Sequence, residues 1–236
     1  ALARAARDSA AVRLAGLECY EGLAARGDSE ADTAVVQALM QRVADVARQA
    51  EAEACFQADE LIVSAGGSSV FDLVVPGLKP ALGRPVRGLL RSGCYVTHDH
   101  GTYRRMKAVM DQRLGCDTAS GLRAALEVWA VVQSVPEPGL ALLSAGRRDL
   151  SHDVEMPVPI AMCPLGDTRP RPVPASWTVS GLNDQHAYLR IGSDTLRVGD
   201  RIGLGISHPC TTFDKWHWMP IVENDYRITD AVTMHF

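Results

Sequence analysis

The chain has 236 residues, with 24 Lys and Arg against 28 Asp and Glu for a formal net charge of −4, and it is 47% hydrophobic and 22% charged. These values exclude the disordered, collagen-like and low-complexity classes, and a mildly acidic balance gives no reason to expect nucleic acid or an anionic membrane as a partner. No window of about 18 uncharged apolar residues exists, which excludes a transmembrane helix.

The opening Ala1–Arg7 (ALARAAR) lacks the apolar core of a signal peptide, and there is no initiator Met. The expectation is a cytoplasmic protein whose given sequence starts within a longer one. Six scattered cysteines, with no CxxC pair, do not look like a disulfide framework; five read as buried free thiols, with Cys210 the exception.

In chain order, Val12–Gly16 reads as a short strand followed by a loop through Tyr20 and Gly22. From Asp28 to about Phe56 the apolar residues fall at helical spacing, with Asp28 or Ser29 as N-cap. Glu60–Ser64 is a buried strand ending in the turn Ala65-Gly66-Gly67-Ser68-Ser69, where a short helix begins. Pro85–Arg91 is a third strand ending in Ser92-Gly93-Cys94-Tyr95. Helices are expected over Tyr103–Leu114 and Ser120–Leu126. Strand, loop and helix in repeated order predict parallel α/β units.

The second half changes character. β-rich runs appear at Val128–Val135, Leu140–Ser144, Trp177–Val179, Ala187–Ile191, Arg201–Ile206, Met219–Val222 and Tyr226–His235. Pro136–Gly139 is a tight turn, and Pro157–Pro174 reads as an irregular loop. The chain thus divides into an α/β part, residues 1–127, and an antiparallel β domain, residues 128–236. A complete (β/α)₈ barrel takes roughly 250 residues, so three βα units make less than half of one.

Two glycine turns follow strands. Gly66 and Gly67 allow backbone N–H groups to approach an anion closely, and a phosphate is the natural guest; a plain strand-to-helix turn is the alternative. Gly93 ends the next strand, and in a parallel barrel the two turns are neighbours. His208 and Cys210, two apart after an apolar run, face one side of an extended chain and offer an imidazole and a thiolate to Zn²⁺; a buried Cys beside an exposed His is the alternative. His98-Asp99-His100 is a polar loop able to hold metal or act as acid and base, or merely solvated. Asn183-Asp184-Gln185-His186 is a turn in which His186 is a candidate site residue.

Taken together, YEG at Tyr20–Gly22, AGGS at Ala65–Ser68, RSGCYVTHDHGTY at Arg91–Tyr103, PEPGLALLSAGRRD at Pro136–Asp149, LNDQHA at Leu182–Ala187 and SHPCTTFDKW at Ser207–Trp216 resemble the pyridoxal-phosphate-dependent D-serine dehydratase-like enzymes. This group includes bacterial amino acid deaminases and, more distantly, D-threonine aldolases. The resemblance implies an alanine-racemase-like fold. The chain would be the carboxyl-terminal part of a pyridoxal-phosphate-binding (β/α)₈ barrel followed by an antiparallel β domain.

On this resemblance Gly66, Gly67 and Ser68, with Gly93, Cys94 and Tyr95, surround the cofactor phosphate, and Tyr20 lies near the pyridine ring. His208 and Cys210 bind zinc, and His186 sits near the same site. The implied reaction is β-elimination from a D-amino acid, D-serine giving pyruvate and ammonia, in a homodimer. The family's Schiff-base lysine has no counterpart among Lys79, Lys107 and Lys215, so the missing amino-terminal barrel segment is expected to supply it and this fragment alone is expected to be inactive. The alternatives are aldol cleavage or dehydration of another 3-hydroxy D-amino acid, and a non-catalytic module that binds the cofactor and metal.

Overall fold

The architecture follows from two hydrophobic patterns, one helical and one alternating. In a computed structural model of the chain, which describes residues 1–21, 24–117 and 119–235, the elements run α1 (Leu2–Arg7), β1 (Gly16–Cys19), α2 (Ser29–Ala52), β2 (Leu61–Ala65), α3 (Phe71–Val74), β3 (Val86–Leu90), α4 (Thr102–Leu114), β4 (Glu127–Glu137), β5 (Leu140–Leu143), β6 (Val158–Cys163), β7 (Arg171–Pro172), β8 (Thr178–Leu182), β9 (Ala187–Arg190), β10 (Arg201–Gly205), α5 (Cys210–Phe213), β11 (Trp218–Val222) and β12 (Ile228–Thr233). Two compact units result. One comprises residues 1–95 and 105–121, the other residues 96–104 and 122–236. Among the described residues no helix is long and apolar enough to cross a membrane. No disulfide forms among the described residues; Cys55, Cys94 and Cys163 are buried as expected, whereas Cys19 is half-buried and Cys116 exposed.

In the first unit β1, β2 and β3 form a parallel sheet in that order. Helix α2 starts where expected, because the Asp28 carboxylate accepts the N–H groups of Glu30 and Ala31. Its buried stripe of Val36, Met40, Val43 and Ala47 recurs every three or four residues. Val36, Met40 and Val43 cluster with Val63 and Ala65 of β2 and with Leu17, Val86 and Leu90. The register puts Glu18, Ile62, Ser64, Arg87 and Leu89 on the other face. That face is open: Ile62 is 39% and Leu89 46% exposed, whereas parallel sheets are ordinarily covered on both sides.

In the second unit seven strands form one sheet in the order β7-β6-β10-β4-β5-β9-β8, each neighbour antiparallel. Alternation along β4 sends Val128, Ala130 and Val132 into the core, where they join Leu143, Leu189 and the fully buried Ile202, Leu204 and Ile206. Each of these Val, Leu and Ile side chains contributes about 1.5–3 kcal/mol by leaving water. The hairpin β11–β12 is separate from this sheet.

Three expectations change. The first strand lies at Gly16–Cys19 rather than Val12–Gly16, since it is Gly16–Cys19 that matches β2. Residues 120–126 form no helix; Gly121 takes φ +82, which ends helical geometry there. The stretch Pro157–Pro174 contains β6 and β7. The prolines hid a strand because Pro159 sits at a register irregularity opposite Leu204, where its missing N–H is tolerated.

Gly146 marks a close approach of two loops in the second unit. The backbone N–H groups of Arg147 and Arg148 donate to the carbonyls of Asn183 and Asp184. A Cβ on Gly146 would lie 2.4 Å from the Asn183 carbonyl oxygen. Gly146→Ala is therefore expected to cost about 1–3 kcal/mol in urea unfolding. Gly181→Ala, whose added Cβ meets nothing closer than 3.9 Å, serves as the near-neutral control. Equal midpoints for the two variants would contradict the packing described.

Candidate functional site

In the first unit, pairing of β1, β2 and β3 in parallel brings their carboxyl ends to one edge. Tyr20 and Glu21 follow β1, the turn Gly66–Ser68 follows β2, and Gly93, Cys94 and Tyr95 form a 3₁₀ turn after β3. The structure thus collects the expected cofactor residues; Gly22, the last residue of that first motif, lies outside the described residues. Gly66 fits a tight crossing, since a Cβ there would come within 3.0 Å of Arg91. The Tyr95 ring packs edge-on against Phe71 at 4.9 Å.

Two residues at this edge were not singled out from the sequence. Arg91 donates to the Ser64 hydroxyl (2.6 Å) and to the Cys19 carbonyl (2.9 Å), which fixes its guanidinium at the strand ends. Glu21 is 2% exposed, and among the described residues neither carboxylate oxygen has a hydrogen-bond partner. Burial pushes its pKa up, against the pull of Arg91. Buried polar atoms lacking protein partners are what a polar guest would satisfy.

In the second unit, the chain leaving β10 meets the His98–Thr102 segment: the His100 N–H donates to the Ile206 carbonyl at 2.8 Å. Gly205 permits this contact, because a Cβ there would strike the His100 ring. Asp99 is fully buried. Its Oδ1 accepts the N–H groups of Gly101, Tyr103 and Arg104, satisfying donors at the start of α4. Among the described residues its Oδ2 has no hydrogen-bond partner, nor do Thr97 Oγ1, His100 Nδ1, Thr102 Oγ1, His152 Nδ1 and Ser207 Oγ, all buried.

His208 and Cys210 adjoin this cluster in sequence, but not as two residues of an extended strand. Pro209 has helical backbone angles and Cys210 opens α5, so the chain bends between them. The His208 ring is accessible in part, and Cys210 is exposed. His208 Nδ1 lies 2.6 Å from Asp153 Oδ2, and Thr211 Oγ1 donates to Asp153 Oδ1 at 3.4 Å. Burial pushes the Asp153 carboxyl up, but the hydrogen bond from His208 and its other donors outweigh this and hold it below its usual range. The loop carrying Asp153 is fastened by the Ser151 N–H to Thr212 Oγ1 and by Trp216 Nε1 to the Asp149 carbonyl.

Among the described residues, no three or more His, Cys, Asp or Glu side chains converge where one metal ion could sit. The donor chemistry of His208 and Cys210 nevertheless suits Zn²⁺, with open positions left for other ligands. The sequence signal missed here was the polar run Ser151–Glu155 (SHDVE), which supplies Asp153. His186 lines a different cleft, with Arg147, Asn183, Asp184 and Gln185.

Residues 125–222, which hold β4 through β11, match the model of the putative serine dehydratase domain. Over that segment the chain is similar to serine dehydratase domains. It is 26% identical over 229 residues to a D-threonine aldolase of Arthrobacter sp., covering 95% of this chain and 52% of that protein. The fold resembles that of a D-threonine aldolase from Filomicrobium marinum (TM-score 0.68, 22% identity, 94% of this chain and 53% of the other). It also resembles D-threo-3-hydroxyaspartate dehydratase from Delftia sp. HT23 (TM-score 0.57, 19% identity, 95% and 57%). A cysteine-to-alanine mutant of that dehydratase has been solved in a metal-free form. The chain spans about half the length of these relatives.

Burial gives the two neighbours in the His98–Thr102 segment opposite pH dependences. Burial, together with Glu155, pushes Asp99 up to about 6 despite its backbone hydrogen bonds. Burial, Arg104 and His98 hold His100 down to about 4. The Asp99 contribution to stability is present below about pH 4 and lost as pH rises through 6. The His100 contribution is present above about 6.5 and lost as pH falls through 4. Asp99→Asn, which keeps a capping oxygen, removes only the first. Its stability relative to the parent is expected to rise by on the order of 2 kcal/mol between pH 4 and 6. A difference that stays flat in urea titrations across this range would contradict the assignment.

Proposed function

We propose that this chain is part of a pyridoxal-phosphate- and zinc-dependent lyase that eliminates the β-hydroxyl of a 3-hydroxy D-amino acid, D-serine giving pyruvate and ammonia. The observation that carries this reading is the His208–Cys210 pair, with its imidazole held by Asp153, beside buried polar atoms that lack protein partners. The metal-free cysteine mutant of the hydroxyaspartate dehydratase supports it. So does the resemblance, on which D-threonine aldolases typically carry an aspartate where this chain has Cys210.

Bound pyridoxal phosphate would supply an electron sink for the α-carbon, and bound zinc a Lewis acid for the β-hydroxyl. The rest falls to this chain's own side chains. The turns Gly66–Ser68 and Gly93–Tyr95 offer backbone N–H groups to a phosphate, and Tyr20, exposed at the same edge, is assigned to the cofactor ring. His208 Nε2 and the Cys210 sulfur are the metal donors. Asp99 is the group of the second unit's cluster able to hold a proton near pH 6. His186 is assigned to the same reaction on the resemblance alone.

Lys107 is buried and paired with Asp111 at 2.5 Å, so it is committed elsewhere. On the resemblance, the lysine that carries the cofactor is assigned to a segment outside these residues, and the open face at Ile62 and Leu89 to contact with further barrel elements. Homodimeric assembly and a cytoplasmic location belong to the same proposal.

A second reading is retro-aldol cleavage of D-threonine, favoured by the higher TM-score to an aldolase. Products separate the two. With added pyridoxal phosphate and zinc, the complete gene product is expected to release keto acid and ammonia in equal amounts from D-serine. Cys210→Ala is expected to lower the rate by about 10²-fold or more, the scale of several kcal/mol of Lewis-acid assistance. Glycine and aldehyde from D-threonine, with no keto acid from D-serine, would establish the aldolase instead.

A further inference from the structure

We propose that Asp153 is a positioning residue for His208, fixing the ring tautomer and orientation that present Nε2 to a metal; the inference rests on the metal reading above. An imidazole has two nitrogens, and a neutral ring carries its proton on only one. With Nδ1 at 2.6 Å from a carboxylate oxygen, the proton belongs on Nδ1, because a carboxylate accepts and cannot donate. The lone pair then lies on Nε2. Carboxylate partners of this kind orient ligating histidines and raise their basicity.

The placement of Asp153 is specific. Its second oxygen takes the Thr211 hydroxyl from the first turn of α5, so one carboxylate spans both sides of the bend at Pro209. The loop bearing it is tied to α5 by Ser151 and Thr212, both buried, and Trp216 bonds the carbonyl of Asp149. The Tyr103 ring lies 6.5 Å from the His208 ring, centroid to centroid. The imidazole is thus held before any metal arrives. Because the Asp153 side chain is 44% exposed, replacing it opens no core cavity.

Two measurements on the full chain test this. In the metal-free protein, long-range ¹H–¹⁵N couplings report which ring nitrogen of His208 is protonated. The parent is expected to show the Nδ1–H form, and Asp153→Ala to move toward Nε2–H. Zinc affinity, measured by competition with a chromophoric chelator, is expected to fall about 10–100-fold in Asp153→Ala. Asp153→Asn, which can still accept from Nδ1–H, should lose less, and His208→Ala should lose binding altogether. If Asp153→Ala keeps both the parent tautomer and the parent zinc affinity while His208→Ala loses zinc, the positioning role is wrong and the metal reading stands. If neither His208→Ala nor Cys210→Ala changes zinc affinity, the metal reading itself fails and takes this inference with it.

Discussion

The polar chemistry of the second unit depends on what happens where β10 leaves its sheet. Inside, the strand is among the most buried stretches of the chain, with Ile202, Leu204 and Ile206 at 0% exposure. Two residues beyond Ile206 the chain presents a partly accessible imidazole, and four beyond it an exposed thiol. The transition is managed by backbone bonding, not by side-chain packing: the Ile206 carbonyl takes the His100 N–H, and Gly205 makes room for the ring beside it. A rigid, dehydrated strand thereby aims the residues that follow, which is why a site can be built on a loop and still be held in place.

That junction concentrates orphaned polar atoms. Asp99 is buried with one oxygen saturated by three N–H groups and the other unbonded within the protein. A core optimised only for stability would not retain such a group, since an unsatisfied buried acceptor costs about 1–3 kcal/mol. The first unit repeats the pattern at the strand ends, where the buried Glu21 carboxylate, under the pull of Arg91, has no hydrogen-bond partner among the described residues. Both clusters lie where their sheets stop, the place at which α/β and β architectures leave backbone groups and side chains free for ligands.

Much of the fold was legible in the sequence, for identifiable reasons. Helix α2 was visible because Asp28 caps it and its apolar residues keep a helical period. Strands β2 and β10 were visible as short apolar runs bounded by glycine or polar turns. Strand β6 was hidden by its own prolines, one of which a register irregularity accommodates. The glycine turns were legible as candidates because glycine after a strand has few other uses, and parallel pairing then placed them at one edge. Asp153 was not legible. Its partner is 55 residues away, and an aspartate in a polar run looks the same whether it faces water or an imidazole. The bend at Pro209 was likewise invisible to an argument from spacing alone.

On the proposed reading, the chain beyond β10 offers a metal one nitrogen and one sulfur, from His208 and Cys210. The most direct test is X-ray absorption at the zinc edge of the zinc-loaded full chain. The expected result is one sulfur at about 2.3 Å together with nitrogen or oxygen ligands at about 2.0–2.2 Å, the usual zinc distances, and loss of the sulfur shell in Cys210→Ala. A first shell made only of nitrogen and oxygen, identical in the parent and in that variant, would contradict it.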